Sequence, residues 1–226
     1  MIVQHRKKNL PFDEQGYQVI EYEDFFISQK NKKTTSKGLG EKIASINSYF
    51  FEYLKGYNIP CAFVRKIKKD ALLFLKYTDL PFQIRILNVS DKRTAKIFSI
   101  KPGVLLDLPL FEYHYGDLND SLISESHLIS FNICTYEDLK TINRLCSKIN
   151  AIVKSFFERR NKLLIELTCV FGKFEGKIFL IDDFSPFSMK VIKTDSAGNS
   201  ADIHKIDTPT QVKKYTEHLL QLTNGE

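Results

Sequence analysis

The sequence contains no tryptophan, only two methionines and no long apolar run among its 226 residues. The longest uninterrupted apolar run, Ala71–Leu75, is far shorter than the roughly 20 residues that a membrane-spanning helix needs. This excludes a transmembrane helix. The first eight residues also lack the apolar segment of a signal peptide, so we expect a protein without a secretory leader.

Cysteine is scarce as well, and its spacing matches no common metal-binding or redox motif. The four cysteines, Cys61, Cys134, Cys146 and Cys169, form no CxxC pair. Their spacing argues against a zinc ribbon or a dithiol redox centre. Scattered thiols in a chain of this length are typical of reduced core residues, and together with the missing leader they predict a cytoplasmic protein.

The composition is that of a globular protein, with 43% apolar and 27% charged residues. The net charge of +6 is compatible with an ordinary solvated surface, a phosphate-bearing ligand or nucleic acid. The basic residues are not organised on one helix, and no aromatic pair of the RNA-recognition type occurs, so we expect no nucleic-acid partner.

Hydrophobic periodicity predicts an α+β protein with antiparallel sheet in two lobes. We expect a mostly β N-terminal lobe with one helix over residues 1–80 and an α+β C-terminal lobe over 81–226. The first half contains short strand-like segments around a helix at 41–55. The second half contains a long helix at 136–160, a hairpin and a final helix at about 208–222.

Two acids, Asp182 and Asp183, follow an apolar strand, and Glu166 lies on the strand before it. Acids at a strand end can hold Mg²⁺ against a phosphate, with Glu166 approaching from the neighbouring strand. The alternatives are a solvated acidic turn and a half-buried strand with a polar outer face. Similarly, Gly38-Leu39-Gly40 before the first helix either cradles phosphate or forms an ordinary basic, solvated loop.

Several segments, taken in order, resemble the SAICAR synthetase family, the phosphoribosylaminoimidazole-succinocarboxamide synthases. The resemblance covers about residues 37–190. The segments that carry it are Ser48–Leu54 with Asn58–Val64, Asp79–Phe82 with Asn88, Pro109–Tyr115 with Asp120–His127, Thr135–Leu139, Leu164–Gly172 and Leu180–Pro186.

The resemblance implies a two-lobed, kinase-like fold with ATP in a cleft, and an ATP-dependent ligase of purine biosynthesis. The family joins L-aspartate to carboxyaminoimidazole ribonucleotide through a phosphorylated carboxylate, with Mg²⁺ offsetting phosphate charge. It also implies roles for individual residues. Asp182 and Glu166 would be the catalytic residues and would also bind the metal ion, with Asp183 as a supporting metal ligand. The nucleotide-binding residues would be Lys37, Gly38, Gly40 and Lys76. The substrate-binding residues would be Arg85, Asn88, Lys92, Arg93, Asp120, Ser124 and Lys190.

The sequence departs from the family pattern at charged positions. Leu87 occupies an arginine position, although Arg85 lies two residues back on the same strand face. Thr168 and Val170 replace a lysine and a glutamate, and Phe187 replaces an acid. Sequences of the family begin with a Gly-Lys-rich hairpin that covers the nucleotide. We expect this hairpin to be lost here, because residues 5–10 contain no glycine.

Three hypotheses therefore stay open. The chain is a divergent SAICAR synthetase, a catalytically impaired nucleotide-binding paralogue or partner subunit, or a related ATP-using enzyme acting on another carboxylate. A phosphorylated ribonucleotide and L-aspartate are the expected ligands of the first. A homo-oligomer is also left open.

Overall fold

A computed structural model describes residues 4–11, 16–27, 33–116, 121–181, 184–193 and 208–225. The helices are α1 (Leu39–Lys55), α2 (Lys92–Phe98), α3 (Glu125–Ser130), α4 (Tyr136–Glu158) and α5 (Pro209–Thr223). The first strands are β1 (Gln4–Pro11), β2 (Tyr17–Ile27), β3 (Lys33–Thr35), β4 (Phe63–Lys66), β5 (Ala71–Leu75) and β6 (Thr78–Val89). The remaining strands are β7 (Leu105–Tyr115), β8 (Leu122–Ile123), β9 (Lys162–Phe174), β10 (Lys177–Leu180) and β11 (Met189–Lys193).

The chain divides into two compact units. Unit 1 comprises Met1–Asp79, Gly172–Phe187 and Ile206–Glu226, and unit 2 comprises Leu80–Phe171 and Ser188–Lys205. This division differs from a single cut after residue 80, because two later segments of the chain group with the N-terminal unit.

Unit 1 is built on a five-stranded sheet in the order β1-β2-β5-β4, with β3 pairing to β2. Helix α1 packs on β2 and on α5, because its apolar residues recur every three to four positions. The core is rich in phenylalanine, and the fully buried rings include Phe26, Phe50, Phe51, Phe63, Phe74 and Phe184.

Residues 5–10, which lack the glycines of the family's Gly-Lys-rich hairpin, lie within strand β1. Strand β1 pairs antiparallel with β2, from Gln4 opposite Ile27 to Pro11 opposite Gln18. The absence of glycine from residues 5–10 does not prevent this pairing, since most residue types can adopt extended backbone.

Unit 2 contains the strand order β9-β6-β7-β8, and β11 pairs with β9. Strand β10 pairs with β9 in the predicted hairpin. Helix α4 begins at the predicted cap, Thr135, whose side chain accepts a hydrogen bond from Asp138 N at 3.1 Å. One face of α4 is buried throughout, including Ile142, Ile149 and Val153.

The four cysteines are all buried free thiols, as expected. Within the described residues, no helix is both long and apolar enough to cross a membrane. The mixed helical and antiparallel architecture confirms the predicted α+β class.

Candidate functional site

A cluster of charged side chains in unit 2 contains several residues that the sequence predicts for the site. Glu166 on β9 lies between a cation on each side. Its carboxylate accepts from Arg85 Nη2 on β6 at 2.5 Å and from Lys190 Nζ on β11 at 2.8 Å. The strand register accounts for this placement, since Lys190 lies opposite Glu166 in the antiparallel pairing of β11 with β9. The carboxylate is thus paired with two cations.

Arg85 is held by three carboxylates. Besides Glu166, its Nη1 atom donates to Asp91 Oδ2 and to Glu112 Oε2, both at 2.9 Å. Glu112 lies directly opposite Arg85 in the pairing of β6 with β7. The planar guanidinium presents its donors in a fixed fork, so these contacts fix its orientation.

Two further contacts complete this ion cluster, which we define as Arg85, Asp91, Arg93, Glu112, Glu166 and Lys190. Arg93 on α2 pairs with Glu112, and its side chain is 44% exposed. Asp91 is also the N-cap of α2, because its carboxylate accepts from Thr94 N at 2.7 Å. The cluster contains three cations and three anions, so its formal charge sums to zero.

The cations hold these carboxyls in their charged forms. Burial alone would raise the pKa of Glu166, but Lys190 and Arg85 outweigh it and hold that pKa below its ordinary value. Burial also opposes the charged form of Glu112. His114, Arg85 and Arg93 nevertheless lower its pKa.

Asn88 is buried in unit 2 and lies between Arg85 and Asp91 in the sequence. Its Nδ2 donates to Asn150 Oδ1 at 2.9 Å, and Asn150 Nδ2 donates back at 2.8 Å. This reciprocal amide pair joins β6 to α4. The Asn88 side chain therefore already has a donor and an acceptor partner within the protein.

In unit 1, the glycines before α1 are placed by Asp24 on β2. Gly38 N donates to Asp24 Oδ2 at 2.9 Å, and Gly40 N donates to Asp24 Oδ1 at 3.0 Å. A carboxylate thus occupies the position at the start of a helix where an anionic ligand would bind. At Gly40, an added Cβ would lie 2.0 Å from Tyr22 O, so the close approach of α1 to β2 requires glycine.

A pocket of about 580 Å³ opens beside the start of α1. Its lining includes five acids and two lysines, and the acids are Glu21, Glu23, Asp24, Glu41 and Asp70. This excess of negative charge disfavours a phosphate in the pocket.

The remaining predicted residues lie apart from these contacts or outside the described part of the chain. Lys37, Lys76 and Lys92 are exposed. Ser124 is the N-cap of the short helix α3, and its hydroxyl lies 2.7 Å from His127 Nδ1. Asp120, Asp182 and Asp183 lie outside the described residues.

The comparisons with known proteins identify the family. The model of the family described as SAICAR synthetase matches residues 10–216. The chain belongs to the SAICAR synthetase family.

Two curated relatives carry the name phosphoribosylaminoimidazole-succinocarboxamide synthase. The protein from Clostridium kluyveri is 33% identical over 185 residues, which cover 80% of this chain and 78% of the relative. The protein from Clostridium novyi is 31% identical over the same shares of the two chains.

Solved SAICAR synthetase structures share the fold. A Type-2 SAICAR synthetase in complex with ADP aligns with a TM-score of 0.87 at 23% identity, covering 99% of this chain and 97% of that one. The Pyrococcus horikoshii enzyme aligns with a TM-score of 0.87 at 22% identity, covering 98% of each chain.

Within this member of the SAICAR synthetase family, the structure brings together four predicted site residues, Arg85, Arg93, Glu166 and Lys190. It adds Asp91 and Glu112, which the sequence did not single out. Glu112 lies opposite Arg85 in the pairing of β6 with β7, but helix α2 separates these strands in the sequence, so no local signal indicates this register. Nothing local in the sequence indicates the partners of Asn150 and Asp24 either.

Proposed function

We propose that the chain catalyses the ATP-dependent ligation of carboxyaminoimidazole ribonucleotide with L-aspartate. The observation that carries this proposal is the match to the SAICAR synthetase family over residues 10–216. ATP would activate the ribonucleotide carboxylate, and the aspartate amine would displace phosphate from it. Buried free cysteines are compatible with a cytoplasmic location for this chemistry.

We propose that Arg93 and Lys190 contact the anionic groups of the substrates, with Lys92 nearby. Each of the first two has a single carboxylate partner in the ion cluster, and their side chains are 44% and 33% exposed. A guanidinium has five N–H donors, so Arg93 can hold Glu112 and still offer donors to a phosphate. Asp120 and Ser124 would lie near the aspartate end.

Arg85 fits a positioning role better than direct contact with substrate. Its guanidinium already donates to three carboxylates. By holding Asp91 and Glu112 it would fix the start of α2, and with it the position of Arg93. Asn88 would act in the same indirect way, by holding β6 against α4.

For the nucleotide we propose Lys37 and Lys76 as phosphate-binding cations in unit 1. A structural relative bound to ADP motivates this assignment. Gly38 and Gly40 would contribute by shaping the loop, since their N–H groups are directed to Asp24.

The donor set for Mg²⁺ is incomplete among the described residues, which contain no group of three metal-ligating side chains. Glu166 is the one described candidate, and two cations neutralise it. Mg²⁺ requires oxygen ligands that are free to coordinate it. The described residues therefore do not fit the ion by themselves, and a metal site would have to be centred on Asp182 and Asp183.

A catalytically impaired nucleotide-binding protein is the second candidate. It is favoured by the pairing of Glu166 with Arg85 and Lys190, together with Val170 and Phe187 at positions where the family pattern has acids.

An assay of ADP release with the ribonucleotide and L-aspartate tests the proposal. We expect turnover in the parent chain and none in an Asp182→Ala control. Lys190→Met and Arg93→Met should raise KM for the ribonucleotide more than they lower kcat. No turnover above the control would refute ligation, and a thermal shift with ATP in that case would support the second candidate.

A further inference from the structure

A second concave surface lies in unit 1, on the side of α1 that faces away from the core. It is a groove of about 410 Å³, within the roughly 300–1,000 Å³ that small-molecule sites occupy. It shares no lining residue with the acidic pocket at the start of α1 or with the ion cluster. We call it the α1–β4 groove, and it is lined by Ser45, Ser48, Tyr49, Glu52 and Tyr53 of α1 and by Lys66 of β4.

Two tyrosines give the groove an aromatic wall. The rings of Tyr49 and Tyr53 are nearly parallel, with an interplanar angle of 9° and centroids 6.1 Å apart. Tyr49 also packs edge-on against Phe50 of the core, and Tyr53 packs edge-on against Tyr57. Both rings are therefore held in place by their neighbours. Aromatic side chains fixed in this way offer faces on which the planar ring of a nucleobase stacks.

A cation lies at one end of the groove. Lys66 Nζ donates to Ser45 Oγ at 2.8 Å, and Ser45 Oγ in turn donates to Glu41 O at 2.8 Å. An ammonium has three donors, so Lys66 can keep this bond and still bind an anion. Burial lowers the pKa of Lys66, with Glu41 and Asp70 acting in the opposite direction. An anion bound to this ammonium would compensate for part of the water that burial removes.

The spacing along α1 indicates the size of the ligand. Ser45 and Tyr53 are eight residues apart, which is about 12 Å at the helical rise of about 1.5 Å per residue. The length of a nucleoside monophosphate is comparable to this distance. Glu52 on the same face would accept a hydrogen bond from a ribose hydroxyl or a base amino group. A longer polyphosphate fits less well, because Lys66 is the one cation among the six lining residues and Glu52 offsets its charge.

We propose that the α1–β4 groove binds a nucleoside monophosphate, with the base on Tyr49 and Tyr53 and the phosphate on Lys66. This site is separate from Lys37 and Lys76, the cations assigned to the nucleotide of the ligation reaction. The proposal does not depend on ligation, because binding is measured without the ribonucleotide or L-aspartate.

Equilibrium dialysis of labelled AMP against the full chain tests the site. We expect one AMP-binding site per chain that depends on Tyr53 and Lys66. Tyr53→Ala and Lys66→Met, tested separately, should each raise the dissociation constant of this site at least about fivefold. Tyr53→Phe keeps the aromatic ring and should keep the parent affinity. Ribose 5-phosphate lacks the base, so its weaker binding should not respond to Tyr53→Ala.

Lys69→Met is the matched control, because the Lys69 side chain is 84% exposed in unit 1 but does not line the groove. Its affinity for AMP should equal that of the parent chain. Lys66 and Lys69 are both exposed, so circular dichroism should report an unchanged fold for both methionine variants.

Three results would overturn the proposal. The first is a parent chain that binds no AMP at millimolar concentrations, and the second is equal affinity for AMP in Lys66→Met and Lys69→Met. The third is AMP binding that Lys37→Met abolishes and Lys66→Met leaves unchanged. That result would place AMP at the nucleotide site of the proposed ligase, and it would leave the proposed ligation standing.

Discussion

Replacing Arg85 with methionine should destabilise the protein strongly, because three carboxylates lose a shared partner. Removing one member of a buried ion pair costs about 3–5 kcal/mol. Two features reduce that figure here, since Lys190 still pairs with Glu166 and Arg93 still pairs with Glu112. We therefore expect a loss of about 2–4 kcal/mol, or a fall in Tm of about 6–12 °C for a chain of this size.

Arg93→Met is the matched control, because it makes the same substitution in the same cluster. Arg93 has one carboxylate partner and is 44% exposed, so its pair is screened by water. We expect this variant to lose at most about 1 kcal/mol. Arg85→Lys should fall between the two, since an ammonium cannot reproduce the guanidinium fork.

The pH dependence of unfolding gives a second test of how much Arg85 and its carboxylate partners stabilise the fold. The pKa values of Asp91, Glu112 and Glu166 are all lowered in the folded protein. Their contribution to stability is therefore complete above the ordinary carboxyl pKa of about 4 and is lost as the pH falls through the lower folded values. The stability difference between the parent chain and Arg85→Met should consequently shrink in acid.

Urea unfolding followed by circular dichroism would measure both effects at several pH values. Equal stabilities for Arg85→Met and Arg93→Met would refute the claim that the three-carboxylate arrangement matters. A difference that stays constant into acid would refute the assignment of the effect to charged carboxyls.

Other contacts support further predictions, each measurable by urea or thermal unfolding. Gly40→Ala should cost on the order of 1–3 kcal/mol, because its Cβ would overlap the carbonyl oxygen of Tyr22. An unchanged Tm would contradict this close approach. Asp24→Ala should cost about 1 kcal/mol through loss of the hydrogen bonds at the start of α1. In a double-mutant cycle, Asn88→Ala and Asn150→Ala should couple by at least about 0.5 kcal/mol, and additive costs would contradict their pairing.

The elements that could be predicted from the sequence have strong local signals. Helices α1, α4 and α5 combine apolar periodicity with caps such as Thr135 and Thr208, and all three were placed to within two residues. Strand β1 was not predicted, since its sequence is polar and basic and its structure depends on pairing with β2. A strand that is defined by its partner rather than by its own pattern is difficult to detect locally.

In the candidate site, too, the sequence indicates individual residues but not which residues pair with one another. Arg85, Glu166 and Lys190 were each singled out by the family resemblance, but as ligands for phosphate, metal and substrate. Their mutual pairing depends on the register of β6, β9 and β11, which no local motif encodes. The prediction could therefore name the residues without indicating that they neutralise one another.

This pairing changes how the altered family positions should be interpreted. Arg85 looks in sequence like a substitute for the arginine that Leu87 replaces, but three carboxylates already hold it. In a cluster with a formal charge of zero, an anion binds best at the cation whose donors are least occupied by carboxylates. Lys190 and Arg93 are those members, because each has one carboxylate partner in the cluster rather than three. The capacity of this chain to bind an anionic substrate in unit 2 thus depends on those two side chains more than on Arg85.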